Sequence, residues 1–160
     1  MSETIVGQKR HTRRMFLRST IKLGTAVALL TPNTVQGMLT KVGPIRSIPD
    51  FMQAVSFARL YNRAALIDVG ADWCEFCHVL DAKIFPDPRV AAHLARLALI
   101  RVDVTSMSPA NIDLLNYLNV AGPPTLFLID TSSGEELPNT RSVGPFDVED
   151  LADRLRPYAA

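Results

Sequence analysis

From about residue 44 onward the apolar residues alternate between helical spacing and short continuous runs. Pro49 to Arg63 carries Phe51, Met52, Val55, Ala58 and Leu60 at helical spacing and predicts an amphipathic helix. Leu66 to Val69 reads as a short buried strand interrupted by one acid, Asp68. Gly70 to Trp73 reads as a loop, and a helix follows from Cys74 to about Ile84. Pro86 and Pro88 break that helix and allow a second over Arg89 to Leu97. Leu99 to Val104 is a second strand. Ser108 caps a helix that has Pro109 at its first position and runs to Leu118. Thr125 to Ile129 is a third strand, Ser132 to Gly134 a turn, and Arg141 to Val143 a hairpin strand. Asp147 caps a last helix that ends near Pro157. Helices alternating with short strands predict an α/β fold, a small central mixed sheet flanked by helices.

The first 37 residues follow another pattern. They hold six Lys or Arg against one acid, Glu3, and then a mildly apolar run from Leu23 to Leu30. That run is too short to span a bilayer, which needs about 20 apolar residues. Thr12-Arg13-Arg14-Met15-Phe16-Leu17-Arg18 resembles the twin-arginine export motif, departing from it only in Arg18 for a final Lys. Val35 and Gly37 suit cleavage after Gly37, with Ala26 and Ala28 as competing small residues, and no cysteine lies near to carry a lipid anchor. The expected organisation is therefore an export signal over 1–37, a linker over 38–47 and one domain over 48–160, working in the periplasm.

Composition narrows the function. The chain has 160 residues, 48% of them apolar, and a formal charge of +1. Beyond residue 37 there remain 11 basic and 15 acidic residues, so the domain is acidic and no nucleic-acid partner is expected. The only cysteines, Cys74 and Cys77, are three residues apart. A disulfide closing so short a loop adds little stability, so the pair is better explained by reactivity. A C-x-x-C that follows a strand and opens a helix is the context of a redox dithiol. There Cys74 faces unpaired backbone N–H groups that favour its thiolate, making it the attacking thiol, and Cys77 resolves the mixed disulfide. A zinc site would need further ligands, and no metal is expected. Cys74-x-x-Cys77-His78 also satisfies the c-type haem attachment pattern, so a haem- or copper-binding protein stands as the alternative from another class.

Here the chain resembles the thioredoxin superfamily, and within it the C-terminal thioredoxin-like domains of the bacterial DsbD thiol reductases. The resemblance runs from about residue 64 to 156. It rests on Ala71-Asp72-Trp73-Cys74-x-x-Cys77, Phe85-x-Asp87-Pro88-x-Val90, Val102-Asp103-Val104-Thr105 and Leu118-Asn119-Val120-x-Gly122-x-Pro124-Thr125. It implies a thioredoxin-like three-layer fold and a thiol–disulfide oxidoreductase with no cofactor beyond the Cys74–Cys77 disulfide. It also implies that Pro124 is the cis-proline facing that disulfide, that Asp68 is the buried acid behind the cysteines, and that Asp81 stands where the family carries a second acid, as Glu. His78 departs from the family's lysine, and Pro123 precedes Pro124 where the family has one proline.

Several roles follow. Asp68, set between Ile67 and Val69, is costly to bury without purpose and is the expected proton acceptor. Asp81 is either a tuning charge or helix surface. His78 reads as a solvated residue one turn from Cys74. Trp73, Phe76, Pro123 and Pro124 are expected to dock the partner. Asp68, Asp72, Glu75 and Asp81 surround the cysteines, and no Lys or Arg lies between Ala64 and Ala82. Acids disfavour a thiolate and point to a dithiol reductase rather than an oxidase or isomerase with the same site. Read as an unpaired charge, Asp68 is one whose replacement by Asn would hold or raise stability. The expected partners are disulfide-bearing exported proteins and an upstream thiol electron donor, such as a membrane thiol transporter, with the domain itself a monomer.

Overall fold

The computed structural model describes residues 41–159. The export segment and residues 38–40 of the linker lie outside them. Five strands form one sheet in the order β1 (Lys41–Ile45), β3 (Ala98–Asp103), β2 (Ala64–Gly70), β4 (Thr125–Asp130) and β5 (Ser142–Val143). β3 runs parallel to both β1 and β2, while β4 runs antiparallel to β2 and to β5. The sheet is therefore mixed, as expected, but it has one strand more. Residues 41–45, expected to be linker, pair along β3. Gly43 permits that close approach, because a Cβ there would come within 2.8 Å of the Arg101 carbonyl oxygen and 2.9 Å of its Cβ.

The helices are α1 (Ile48–Ala58), α2 (Glu75–Val79), α3 (Pro88–Leu94), α4 (Pro109–Tyr117) and α5 (Val148–Leu155). α2 does not continue regularly to Ile84. It passes into a π-helical turn, Leu80–Ile84, closed by Phe85 N–H donating to the Leu80 carbonyl. Each N-terminus is capped by a side chain, from Ser47, Cys74, Asp87, Ser108 and Asp147 in turn. At the end of α4, Asn119 takes φ 51°. Asn119 N–H donates to the Asn116 carbonyl, and Val120 N–H to that of Leu115. Asparagine tolerates this left-handed stop better than most residues with a side chain, and it turns the chain toward the cis Pro123–Pro124 peptide.

Strand pleating divides the core in two. Ala65, Ile67 and Val69 of β2 face one side, with Phe51, Ala54 and Ala58 of α1 and Leu114, Leu115 and Leu118 in and after α4. Ala64 and Leu66 face the other, with Leu80, Ile84, Val90 and the α5 residues Leu151, Ala152 and Leu155. Asp68 belongs by alternation to the second face. Asn111, fully buried in α4, ties the layers together. Its amide donates to the carbonyls of Arg46 and Asp103, and its oxygen accepts from Ser106 Oγ and Ser108 N–H. Among the described residues no helix is long and apolar enough to cross a membrane.

Candidate active site

Cys74 is held by the loop before it and the helix after it. β2 ends at Gly70, whose carbonyl accepts from Val104 N–H, and Cys74 N–H closes a turn onto the Ala71 carbonyl at 3.0 Å. Two further bonds pin this loop to the segment after β3. Asp72 N–H donates to Thr105 Oγ1 at 2.9 Å, and the Trp73 indole N–H donates to the Thr105 carbonyl at 3.1 Å. The ring Nε2 of His78 lies 2.8 Å from the Asp72 carbonyl, so it is the donor there. His78 is thus a clamp on the active-site loop and not only a solvated helix residue.

Cys74 and Cys77 are joined by a disulfide, with their Cα atoms 5.3 Å apart. Cys74 Sγ caps α2 by accepting the Cys77 N–H at 3.2 Å. A sulfur so placed is stabilised as a thiolate once the disulfide is reduced. Both cysteines are 6% exposed, so burial in the disulfide form does not separate attacking from resolving thiol. Their surroundings do. Cys77 lines a cavity of about 410 Å³ whose wall also carries Asp68, His78, Asp81 and Arg101, and Cys74 does not.

Asp68 is 2% exposed, as its place between Ile67 and Val69 predicts. It is not unpaired. Parallel pairing of β2 with β3 sets it level with Arg101, and Arg101 Nε donates to Asp68 Oδ2 at 2.9 Å. The same guanidinium donates through NH2 to Asp81 Oδ1 at 2.7 Å, and it lies 6.0 Å from the Phe85 ring centroid. Asp81 is therefore bound into the site, and is not merely surface charge. Burial pulls the Arg101 pKa down, but the two carboxylates outweigh it and leave that pKa above the ordinary arginine value. The expectation of a site without cations is corrected: Arg101 is the cation paired with Asp68 and Asp81, and it lies 33 residues from Asp68 in sequence. The available clue was a charged residue between the buried Ile100 and Val102.

Trp73 and Phe76 are 55% and 49% exposed, the access that a docking surface requires. Pro124 immediately precedes Thr125, which pairs with Val69 near the end of β2, so the Pro123–Pro124 turn lies at the sheet end that carries the cysteines. Val143 pairs with Thr125 on the other side and is exposed, an apolar addition to that end that the sequence had not singled out. Among the described residues no cluster of His, Cys, Asp or Glu is placed to hold a metal ion.

A parallel-and-antiparallel sheet between helices, with a Cys-x-x-Cys disulfide at a strand-to-helix turn, defines a thiol–disulfide oxidoreductase of the thioredoxin fold. The chain belongs to the thioredoxin-like family, whose model matches residues 46–131. It is similar to the thiol:disulfide interchange protein DsbD 1 of Pseudomonas aeruginosa, 38% identical over 103 residues, covering 64% of this chain and 17% of that protein. It is similar also to the thiol:disulfide interchange protein DsbD of Escherichia coli, 33% identical over 112 residues, 70% of this chain and 19% of that protein. The chain thus spans less than a fifth of these relatives. In fold it is like the DsbD C-terminal domain of Neisseria meningitidis in its reduced form, with a TM-score of 0.61, 20% identity, and coverage of 71% of this chain and 97% of that one.

The ion pair reverses the stability expectation for Asp68. Asp68→Asn removes a carboxylate from a half-buried guanidinium that keeps only Asp81, and should cost about 2 kcal/mol. Urea unfolding at pH 7 measures this, and unchanged or increased stability would show that the pair contributes nothing.

Proposed function

We propose that this domain is an exported dithiol reductase of protein disulfides. The observation that carries the reading is the Cys74–Cys77 disulfide at the N-terminus of α2, with Cys77 and the acid Asp68 on one cavity wall. Cys74 thiolate attacks a partner disulfide, forming a mixed disulfide and releasing one partner thiol. Cys77 gives its proton to Asp68 and attacks Cys74 Sγ, releasing the second partner thiol. Trp73, Phe76 and the Pro123–Pro124 turn receive the partner, and Asp81 tunes the site through Arg101. No cofactor beyond the disulfide takes part.

The direction rests on charge. Asp68, Asp72, Glu75 and Asp81 still outnumber Arg101 around the cysteines, even with His78 protonated, and a net negative surround disfavours the thiolate and favours a reductant. The likeness to proteins named for thiol:disulfide interchange supports the chemistry. Partners are exported proteins with disulfides, and reducing equivalents come from a thiol donor, a role that a membrane thiol transporter would fill. The twin-arginine-like Thr12 to Arg18 supports export to the periplasm.

Three measurements test this. The potential of the Cys74–Cys77 pair, equilibrated against glutathione or dithiothreitol, should lie nearer the roughly −270 mV of thioredoxin than the roughly −120 mV of a strong oxidant. A value at the oxidising end would make the domain an oxidase. Cys77→Ser should trap partners as mixed disulfides through Cys74, whereas capture by Cys74→Ser through Cys77 would invert the roles. Replacing Arg13 and Arg14 together by Lys should retain the full chain in the cytoplasm, and normal export of that variant would point to another route.

A further inference from the structure

The loop that carries Trp73 is one tight turn. Cys74 N–H donates to the Ala71 carbonyl at 3.0 Å, which makes Asp72 and Trp73 the central residues of that turn. The peptide between them decides where Trp73 points, because rotation of a turn's central peptide exchanges the common turn types and swings the side chain that follows. Both residues are exposed, so packing does little to hold that peptide. Thr105 secures the groups on either side of it. Its hydroxyl accepts the Asp72 N–H at 2.9 Å, and its carbonyl accepts the Trp73 indole N–H at 3.1 Å. The central peptide itself is held through the Asp72 carbonyl, which accepts from His78 Nε2 at 2.8 Å.

The helix explains how His78 reaches back. Side chains on a helix lean toward its N-terminus and cover the preceding turn. His78 lies four residues after the N-cap Cys74, so its ring comes over the loop that enters α2. The bond requires a hydrogen on Nε2, which the neutral Nε2–H tautomer and the cation both carry. His78 therefore acts here as a donor whatever its charge.

We propose that His78 is the positioning residue for partner docking: by donating to the Asp72 carbonyl it fixes the Asp72–Trp73 peptide, and with it the direction in which the exposed Trp73 ring meets an incoming protein disulfide. The inference rests on the reading of Trp73 as a docking residue. A ring already held in place is not ordered at the partner's expense, whereas a loop free to rotate is, and that cost falls on binding. The sulfurs are set by other contacts, since Cys74 Sγ is held by the Cys77 N–H. Loss of the clamp should therefore weaken partner binding more than it slows bond exchange.

Two amide substitutions separate the donor from the ring. His78→Gln places its amide nitrogen as many bonds from Cα as Nε2 is, whereas the amide of His78→Asn stops at the level of Nδ1 and falls short of the Asp72 carbonyl. His78 is exposed, so both variants should fold. The full reduced protein is mixed with excess insulin, and its oxidation is followed by acid quench and mass. In His78→Asn the insulin concentration giving half the limiting rate should rise about fivefold, as for one side chain newly ordered on binding, while the limiting rate changes by less than about twofold. His78→Gln should restore the wild-type value. Trp73 is the chain's only tryptophan, so its fluorescence reports the loop directly. In the oxidised protein, acrylamide quenching should increase and anisotropy should fall in His78→Asn but not in His78→Gln. A merely structural histidine would lower the unfolding midpoint without this split. Wild-type quenching and anisotropy in His78→Asn overturn the proposal, as does His78→Gln behaving like His78→Asn. Trp73→Ala tests the underlying reading separately: wild-type half-saturation there removes Trp73 as a docking residue, while the fluorescence of His78→Asn still shows whether His78 holds the loop.

Discussion

A carboxylate in the central strand of a small sheet, 2% exposed, is tenable only with strong hydrogen-bonding partners and a cation close by. For Asp68 that cation is Arg101, level with it on the neighbouring parallel strand. Much of the active site is arranged around this pair. Pleating sends both side chains to the face that carries Leu66, Phe85 and the π-helical turn, where Asp81 completes the bridge. Gly43 lets β1 pass directly over the Arg101 backbone, so the edge of the sheet is shaped by the same residue. The pair is worth little as a net source of stability, but removing either partner leaves a charge that burial penalises.

The cysteines depend on a second set of contacts, and these are made by backbone more than by charge. Thr105 accepts from Trp73 through its carbonyl and from Asp72 through its hydroxyl, and His78 holds the Asp72 carbonyl from the other side. The loop is thereby tied to the chain after β3 and to α2 at once, which fixes where Cys74 Sγ meets the Cys77 N–H. Asn111 ties α4 to the β1–α1 junction and to the end of β3, next to Thr105. The disulfide therefore sits on a frame most of whose hydrogen bonds involve neither sulfur.

Electrostatics is where the tertiary structure changes the functional reading most. Counted along the chain, the site is a ring of acids without a cation. Folded, it holds a guanidinium shared between two of those acids. The net charge stays negative, which keeps the reductant reading, but its distribution matters more than its sum. The positive charge lies on the Cys77 side, with the cavity, which Asp72 also lines, whereas Glu75 directly follows Cys74 in sequence and is not on that wall.

Much of this was legible in the sequence because it is local. Cys74-x-x-Cys77 after a short apolar strand places a sulfur at a helix N-terminus through neighbouring residues alone, and Ser108, Asp147 and the proline breaks mark helix ends within one turn of where they fall. The burial of Asp68 followed from Ile67 and Val69 on either side. What the sequence could not show is long-range. β1 looked like linker, because its role as an edge strand depends on β3, more than 50 residues later. The π-helical turn, which carries Asp81, leaves the apolar pattern of a regular helix intact. Arg101 is 33 residues from Asp68, and only the register of two parallel strands makes them partners. The chain by itself determined which residues react; the register of the sheet decided which charge they react beside, because register is settled by packing across the whole core and not by any local run of residues.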